Sequence, residues 1–258
     1  MKINEKWDYS KFKNSKIFHQ LQTYTILFEN NNNWPSISDY QYVFKQFNLS
    51  IKPVPQSQHA NCFEDLYESR VFLKNELQTR TNNWHDFFNA LIWLKFPKTK
   101  KILNSLHYEQ SILRQKGSNR SVLENRITQF DECGAIIVSN NENLLNLIRN
   151  HQWQELFLNY REQLTQDLEC IIFGHAIFEK ALNPYIGMTC HCILLNNDQI
   201  LDDIKQGEFI EIDQILADIW QNDIKTNPIK FDAFPLLGMP EFWENQSTAF
   251  YENKNYFR

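Results

Sequence analysis

Two groups of residues in this chain have the types and spacing for acid–base or metal chemistry. The first lies in Asn83-Trp84-His85-Asp86-Phe87-Phe88-Asn89. On a helix His85, Asp86 and Asn89 fall at about 0°, 100° and 40° around the axis, one arc among large apolar neighbours. An imidazole and a carboxylate on one arc can share a divalent metal or pass a proton. The second group is Gly174-His175-Ala176-Ile177-Phe178-Glu179-Lys180. His175 and Glu179, four residues apart, point the same way on a helix. They would serve as two metal ligands, or as a base with its orienting carboxylate.

Each group also has a plainer reading. Asp86 sits where a carboxylate steadies a helix N-terminus, and His85 can donate to a carbonyl. His175 on an apolar stripe can be a satisfied core histidine, and Glu179 can pair with Lys180 or an arginine. Other candidates are weaker. Asp131-Glu132 precedes Cys133-Gly134 at an expected turn, where a hairpin tip can deliver a carboxylate to a cleft. His107 is a further candidate ligand-binding residue. Cys190-His191-Cys192 has the look of a metal clip, but on a strand the cysteines face one way and His191 the other. No second cysteine pair completes a zinc site. The cysteines therefore read as small buried hydrophobes, with His191 open to join His175 across the core. Lys95, Lys98, Lys100 and Lys101 lie beside Trp93 and Phe96. They read as a solvated face, with binding of a phosphate-bearing ligand as the sharper alternative.

Composition narrows the classes. The 258 residues carry a net charge of −5, and the pI is about 5.8. Bulk charge gives no reason to expect nucleic acid or an anionic membrane as partner. Six glycines are too few and too scattered for a Walker loop or a dinucleotide fingerprint. The first eight residues hold no apolar signal core, and no apolar run approaches a bilayer span. Five scattered cysteines fit a reducing compartment and predict five free thiols. These features predict a cytoplasmic protein.

The elements that must carry the candidates follow from periodicity. Residues 15–28 predict an amphipathic helix, and Ser36 or Ser38 a capped second helix reaching Phe47. Residues 51–56 read as extended and 56–61 as a loop. Tyr67 to Arg80 alternates and predicts a β-hairpin turning at Lys74-Asn75. Asn82 or Asn83 should cap the helix that bears His85. Pro97 should break that helix, and another should run from Lys98 to about Gln115, closed by Gly117. A second hairpin is predicted over 127–139. Helices are expected at 141–149 and from Trp153 onward, with one continuous stripe from Leu164 through His175 to Leu182. Met188 to Leu195 reads as a buried central strand, and 211–220 as the last clear helix. The prediction is a mostly helical α+β fold. Short β-hairpins and a buried strand pack with helices in one domain over 1–258, with 1–50 as an N-terminal helical extension.

Longer blocks resemble a known family. They are Thr79-Arg80 to Trp93, Phe96-Pro97 to Asn104 with His107, Phe130-Asp131-Glu132-Cys133-Gly134, Phe173-Gly174-His175-Ala176 to Glu179-Lys180, and Pro235-Leu236-Leu237-Gly238-Met239-Pro240. Together they resemble an uncharacterised bacterial family, domain of unknown function three-zero-two-five. The resemblance implies a single bacterial domain and brings no activity with it. From the chemistry, the first expectation is a hydrolase, acid–base or metal-assisted. Its cleft would be lined by His85, Asp86, Asn89, His175 and Glu179, with His107 and Asp131, and would take a small-molecule ligand and a divalent metal. The second is a non-catalytic binding or regulatory module in which the same groups form a structural polar network.

Overall fold

The computed structural model describes residues 6–13, 15–57, 62–115, 119–223 and 230–258. Gly117 and residues 58–61 of the expected loop lie outside these. In chain order the helices are α1 (Lys16–His19), α2 (Gln22–Thr25), α3 (Ile37–Gln46), α4 (Tyr67–Lys74), α5 (Trp84–Lys95), α6 (Pro97–Gln115) and α7 (Val122–Cys133). Then come α8 (Glu142–Arg149), α9 (Arg161–Asp167), α10 (His175–Ala181), α11 (Asp198–Lys205), α12 (Ile210–Asp218) and α13 (Thr248–Tyr251). The strands are β1 (Lys52–Pro55), β2 (Glu76–Thr79), β3 (Gly134–Ser139), β4 (Leu168–Ile172), β5 (Thr189–Asn196) and β6 (Asp232–Pro235). The fold is α+β and mostly helical. The chain forms two compact units with interleaved segments. A helical unit holds residues 1–14, 21–128 and 213–227, and a sheet unit holds 15–20, 129–212 and 228–258. Among the described residues no helix is long and apolar enough to cross a membrane.

In the helical unit, α5 is buried almost all round, from Phe87 through Lys95, as its apolar sequence requires. Asn83 caps it, its side chain accepting from the Asp86 N–H at 2.9 Å. An aromatic cluster packs on its first turns. The Trp34 and Trp84 rings lie 4.4 Å apart, and Phe12 stacks on Phe87 at 5.7 Å. Pro97 opens α6 as its first residue, where a missing N–H costs nothing. The exposed N–H groups of that turn are met from far along the chain. Asp213 accepts from the Lys98 and Thr99 N–H groups, both at 2.9 Å, and from the Thr99 hydroxyl at 2.7 Å. Burial raises the Asp213 pKa, against the lowering by these donors.

The expected hairpin over 67–80 is instead the helix α4 followed by β2, which pairs in parallel with β1 from Lys52↔Glu76 to Pro55↔Thr79. The turn at Asn75 is real but is a helix C-cap, with φ 51° and its N–H bonded to the Val71 carbonyl. Four alternating residues do not discriminate against a helix built on Glu68, Arg70, Leu73 and Lys74, all good helix formers. The helix expected over 15–28 is broken into α1, α2 and a 3₁₀ turn at Ile26–Phe28. The basic run is no uniformly solvated face: Lys95 and Lys100 are buried, while Lys98 and Lys101 are exposed.

The sheet unit is built on four strands in the order β4-β3-β5-β6. The central pair β3/β5 is parallel, and the flanking β4 and β6 run antiparallel to it. β3 is buried at every position. In β5 Cys190 and Cys192 are buried while the intervening His191 is half-buried, as strand alternation predicts. All five cysteines are free. Two expectations fail here. The hairpin over 127–139 is the end of α7 running straight into β3, with Ile127 and Phe130 buried three residues apart, a helical spacing. The stripe from Leu164 to Leu182 is cut by β4, whose ladder with β3 runs from Ser139↔Leu168 to Ala135↔Ile172. Its spacing suits a helix, but Cys170, Ile171 and Ile172 satisfy their backbone by joining the sheet.

Candidate functional site

The sheet unit gathers several of the named residues at the start of β3. Two glycines make this possible. The Gly134 carbonyl accepts from the N–H groups of Phe173 at 3.0 Å and Gly174 at 2.8 Å. A Cβ on Gly174 would lie 2.5 Å from the Glu132 carbonyl oxygen and 2.6 Å from the Cys133 backbone, and one on Gly134 would lie 2.3 Å from the Phe130 carbonyl oxygen. Such approaches are open to glycine alone. The Phe130 and Phe173 rings stack at 4.7 Å across the junction. The end of α7 and the start of α10 are thereby locked together.

What this junction holds is His175 between two carboxylates. The ring is buried, with Nδ1 3.9 Å from Asp131 Oδ2 and Nε2 3.6 Å from Glu132 Oε1. Asp131 and Glu132 are half-buried. Both distances exceed a direct hydrogen bond. Two ligands on one tetrahedral zinc, each about 2.1 Å from it, stand about 3.4 Å apart. The Nε2···Oε1 separation is therefore close to what a shared metal demands, with Asp131 on the far side of the ring. A carboxylate there can set the ring's tautomer and orientation.

Beside this cluster the Lys180 ammonium donates to the Cys133 sulfur at 3.5 Å. His191 pairs with Gly134 in the β3/β5 register. Burial, and then the Lys180 charge, hold the His191 pKa below its ordinary value, so the ring is neutral at pH 7. Glu179 is half-buried one turn beyond His175.

In the helical unit the notch on α5 exists, and its parts have definite partners. Asp86 accepts from the Arg80 N–H at 2.7 Å and from that guanidinium at 3.0 and 2.7 Å. Asn89 donates to the Tyr67 hydroxyl at 2.7 Å and accepts from Lys100 Nζ at 2.9 Å. Lys100 Nζ also lies 5.5 Å from the centre of the Trp93 ring. His85 is half-buried in the first turn. His107 on α6 is half-buried, and its Nδ1 has no hydrogen-bond partner among the described residues.

Within the sheet unit, then, His175 and Asp131 come together, with Lys180 further along α10 and His191 on β5. The sequence offers Asp131-Glu132 as a carboxylate pair, but only Asp131 is expected in the cleft, and Glu132 and Cys133 are not. The available signal was the placement of Asp131, Glu132 and Cys133 in the last turn of a helix that ends at a glycine, which a hairpin reading conceals.

A family model described as a protein of unknown function, DUF3025, matches residues 51–258. This is the family identified above from the sequence blocks. No curated protein and no solved structure matches the chain.

Proposed function

The chain belongs to the DUF3025 family of proteins of unknown function, and we propose that it is a hydrolase whose chemistry centres on His175, Glu132 and Asp131. The observation that carries this reading is the 3.6 Å separation of His175 Nε2 and Glu132 Oε1 across a glycine-locked junction. Those two side chains would hold a divalent ion such as zinc. The ion would supply a Lewis acid and a bound water of lowered pKa. Asp131 orients the ring, and the neutral His191 is a base within the same cluster. Glu179 and Lys180, on the helix that bears His175, are the further residues proposed to line the site. His85, Asp86, Asn89 and His107 stay candidates.

The test is zinc binding and turnover on the purified protein. Stoichiometric zinc uptake by calorimetry is expected, with hydrolysis of a chromogenic ester or phosphoester that rises with zinc. Glu132→Gln and His175→Ala are each expected to weaken zinc binding at least tenfold and to abolish turnover, with the fold retained by circular dichroism. Zinc binding unchanged in both variants would sink the reading.

A second reading, a non-catalytic module, is favoured by the α5 notch. There the Tyr67–Asn89–Lys100 chain and the Arg80–Asp86 pair are two separate sets of mutually bonded polar groups. It predicts no turnover in any variant, with ligand binding that does not depend on zinc.

A further inference from the structure

The helical unit carries a cleft unrelated to the His175 cluster. It has a volume of about 270 Å³ and lies between α4 and α6, with Ile51 and Trp93 among the residues of its wall. Val71, Phe72 and Ile102 make much of the rest apolar. Phe72 is 43% exposed although it stacks on Tyr108 at 4.2 Å, so a large apolar ring is left at the edge of the cleft.

Besides Trp93, the polar side chains of the wall are one lysine, one serine and two asparagines, of which Asn104 already donates to the Glu68 carboxylate at 2.6 Å. Trp93 is 3% exposed, and its indole N–H is buried with no hydrogen-bond partner among the described residues. That nitrogen has no accessible surface, so the indole offers the cleft its ring and not its N–H. Lys101, Ser105 and Asn75 also line the cleft. Lys101 is exposed and makes no ion pair among the described residues. No acidic residue lines the cleft. An apolar hollow with one unneutralised cation and the Asn75 amide and Ser105 hydroxyl beside it suits a small anion with an apolar body.

We propose that this cleft binds a small apolar carboxylate. Its hydrocarbon part would lie against Ile51, Val71, Phe72 and the Trp93 ring, and its carboxylate would meet Lys101 with the Ser105 hydroxyl and the Asn75 amide as donors. The volume suits a ligand of about 10–15 non-hydrogen atoms. This site is independent of the hydrolase reading and stands or falls apart from it.

The probe is 2-naphthoate, with 2-naphthalenemethanol as its uncharged counterpart, titrated into the full chain. Saturable naphthoate binding is expected. The Trp93 indole N–H resonance, identified from its loss in Trp93→Phe, is expected to move as the cleft fills. Lys101→Gln alters an exposed side chain and should fold normally. It is expected to weaken naphthoate at least fivefold and to change the alcohol less than twofold. Absence of saturable binding overturns the proposal. So does binding that leaves the Trp93 resonance in place, and so does naphthoate affinity unchanged by Lys101→Gln.

Discussion

Lys95 shows how far one residue can depart from the face its neighbours present. It ends α5, is 3% exposed, and lies 5.3 Å from the centre of the Phe96 ring. Burial pushes its pKa down to about 7. The unfolded chain, with an ordinary lysine near 10.5, therefore binds this proton between about pH 7 and 10.5 while the folded chain does not. Stability from this group rises with pH across that window, and the penalty is fully present below it. Lys95→Met keeps the apolar stem and removes the charge. It is expected to raise the melting temperature by several degrees at pH 7, with the gain shrinking towards pH 10. Parallel pH dependences of the two proteins would show that the ammonium is not what costs. Asp86, by contrast, is a carboxylate whose burial is offset by Arg80. An asparagine cap and an arginine give it a full set of partners.

At the scale of elements, the decisive feature is the junction of α7, β3, β4 and α10. Both Phe130 to Gly134 and Phe173 to Ala176 are short blocks with a glycine beside an aromatic ring. Their backbones meet so closely that a methyl group at residue 174 would overlap the 132–133 peptide. Gly174→Ala must open this contact. It is expected to cost about 1–3 kcal/mol, the usual range for overpacking. Because His175 is the next residue, the same change is expected to weaken zinc binding at least tenfold even where the protein stays folded at 25 °C. A variant that melts lower yet binds zinc like the parent would separate the junction from the site. A comparable device serves the C-terminal segment, where a Cβ on Gly238 would lie 2.5 Å from the Phe157 ring.

At the scale of the whole molecule, the chain passes between its two units five times, at 14–15, 20–21, 128–129, 212–213 and 227–228. Two of these passages lie inside the continuous helices α7 and α12. Neither unit is a single stretch of sequence, and each closes only when its own three separated stretches come together. One cooperative unfolding transition is expected, with calorimetric and van't Hoff enthalpies in agreement. Two resolved transitions would mean that the units are separate domains.

The sequence by itself determined what rests on local pattern. The all-round apolar run at 84–96 made α5 a buried helix, Asn83 and Ser36 capped where expected, and Cys190-His191-Cys192 alternated on a buried central strand. The family was legible in the same way, because its blocks are contiguous residues. Tertiary structure decided the elements whose local signals were balanced. Residues 67–74 alternate like a strand yet close their hydrogen bonds as a helix. Residues 168–172 continue a helical stripe yet find better partners along β3. It also decided the grouping of Glu132 and Asp131 with His175. They are over forty residues apart, and only the two glycine contacts bring them within 4 Å. The physical reason is common to these cases. Periodicity reports which face a residue turns inward, whereas a site depends on which backbone meets that face, and packing across the sheet settles that.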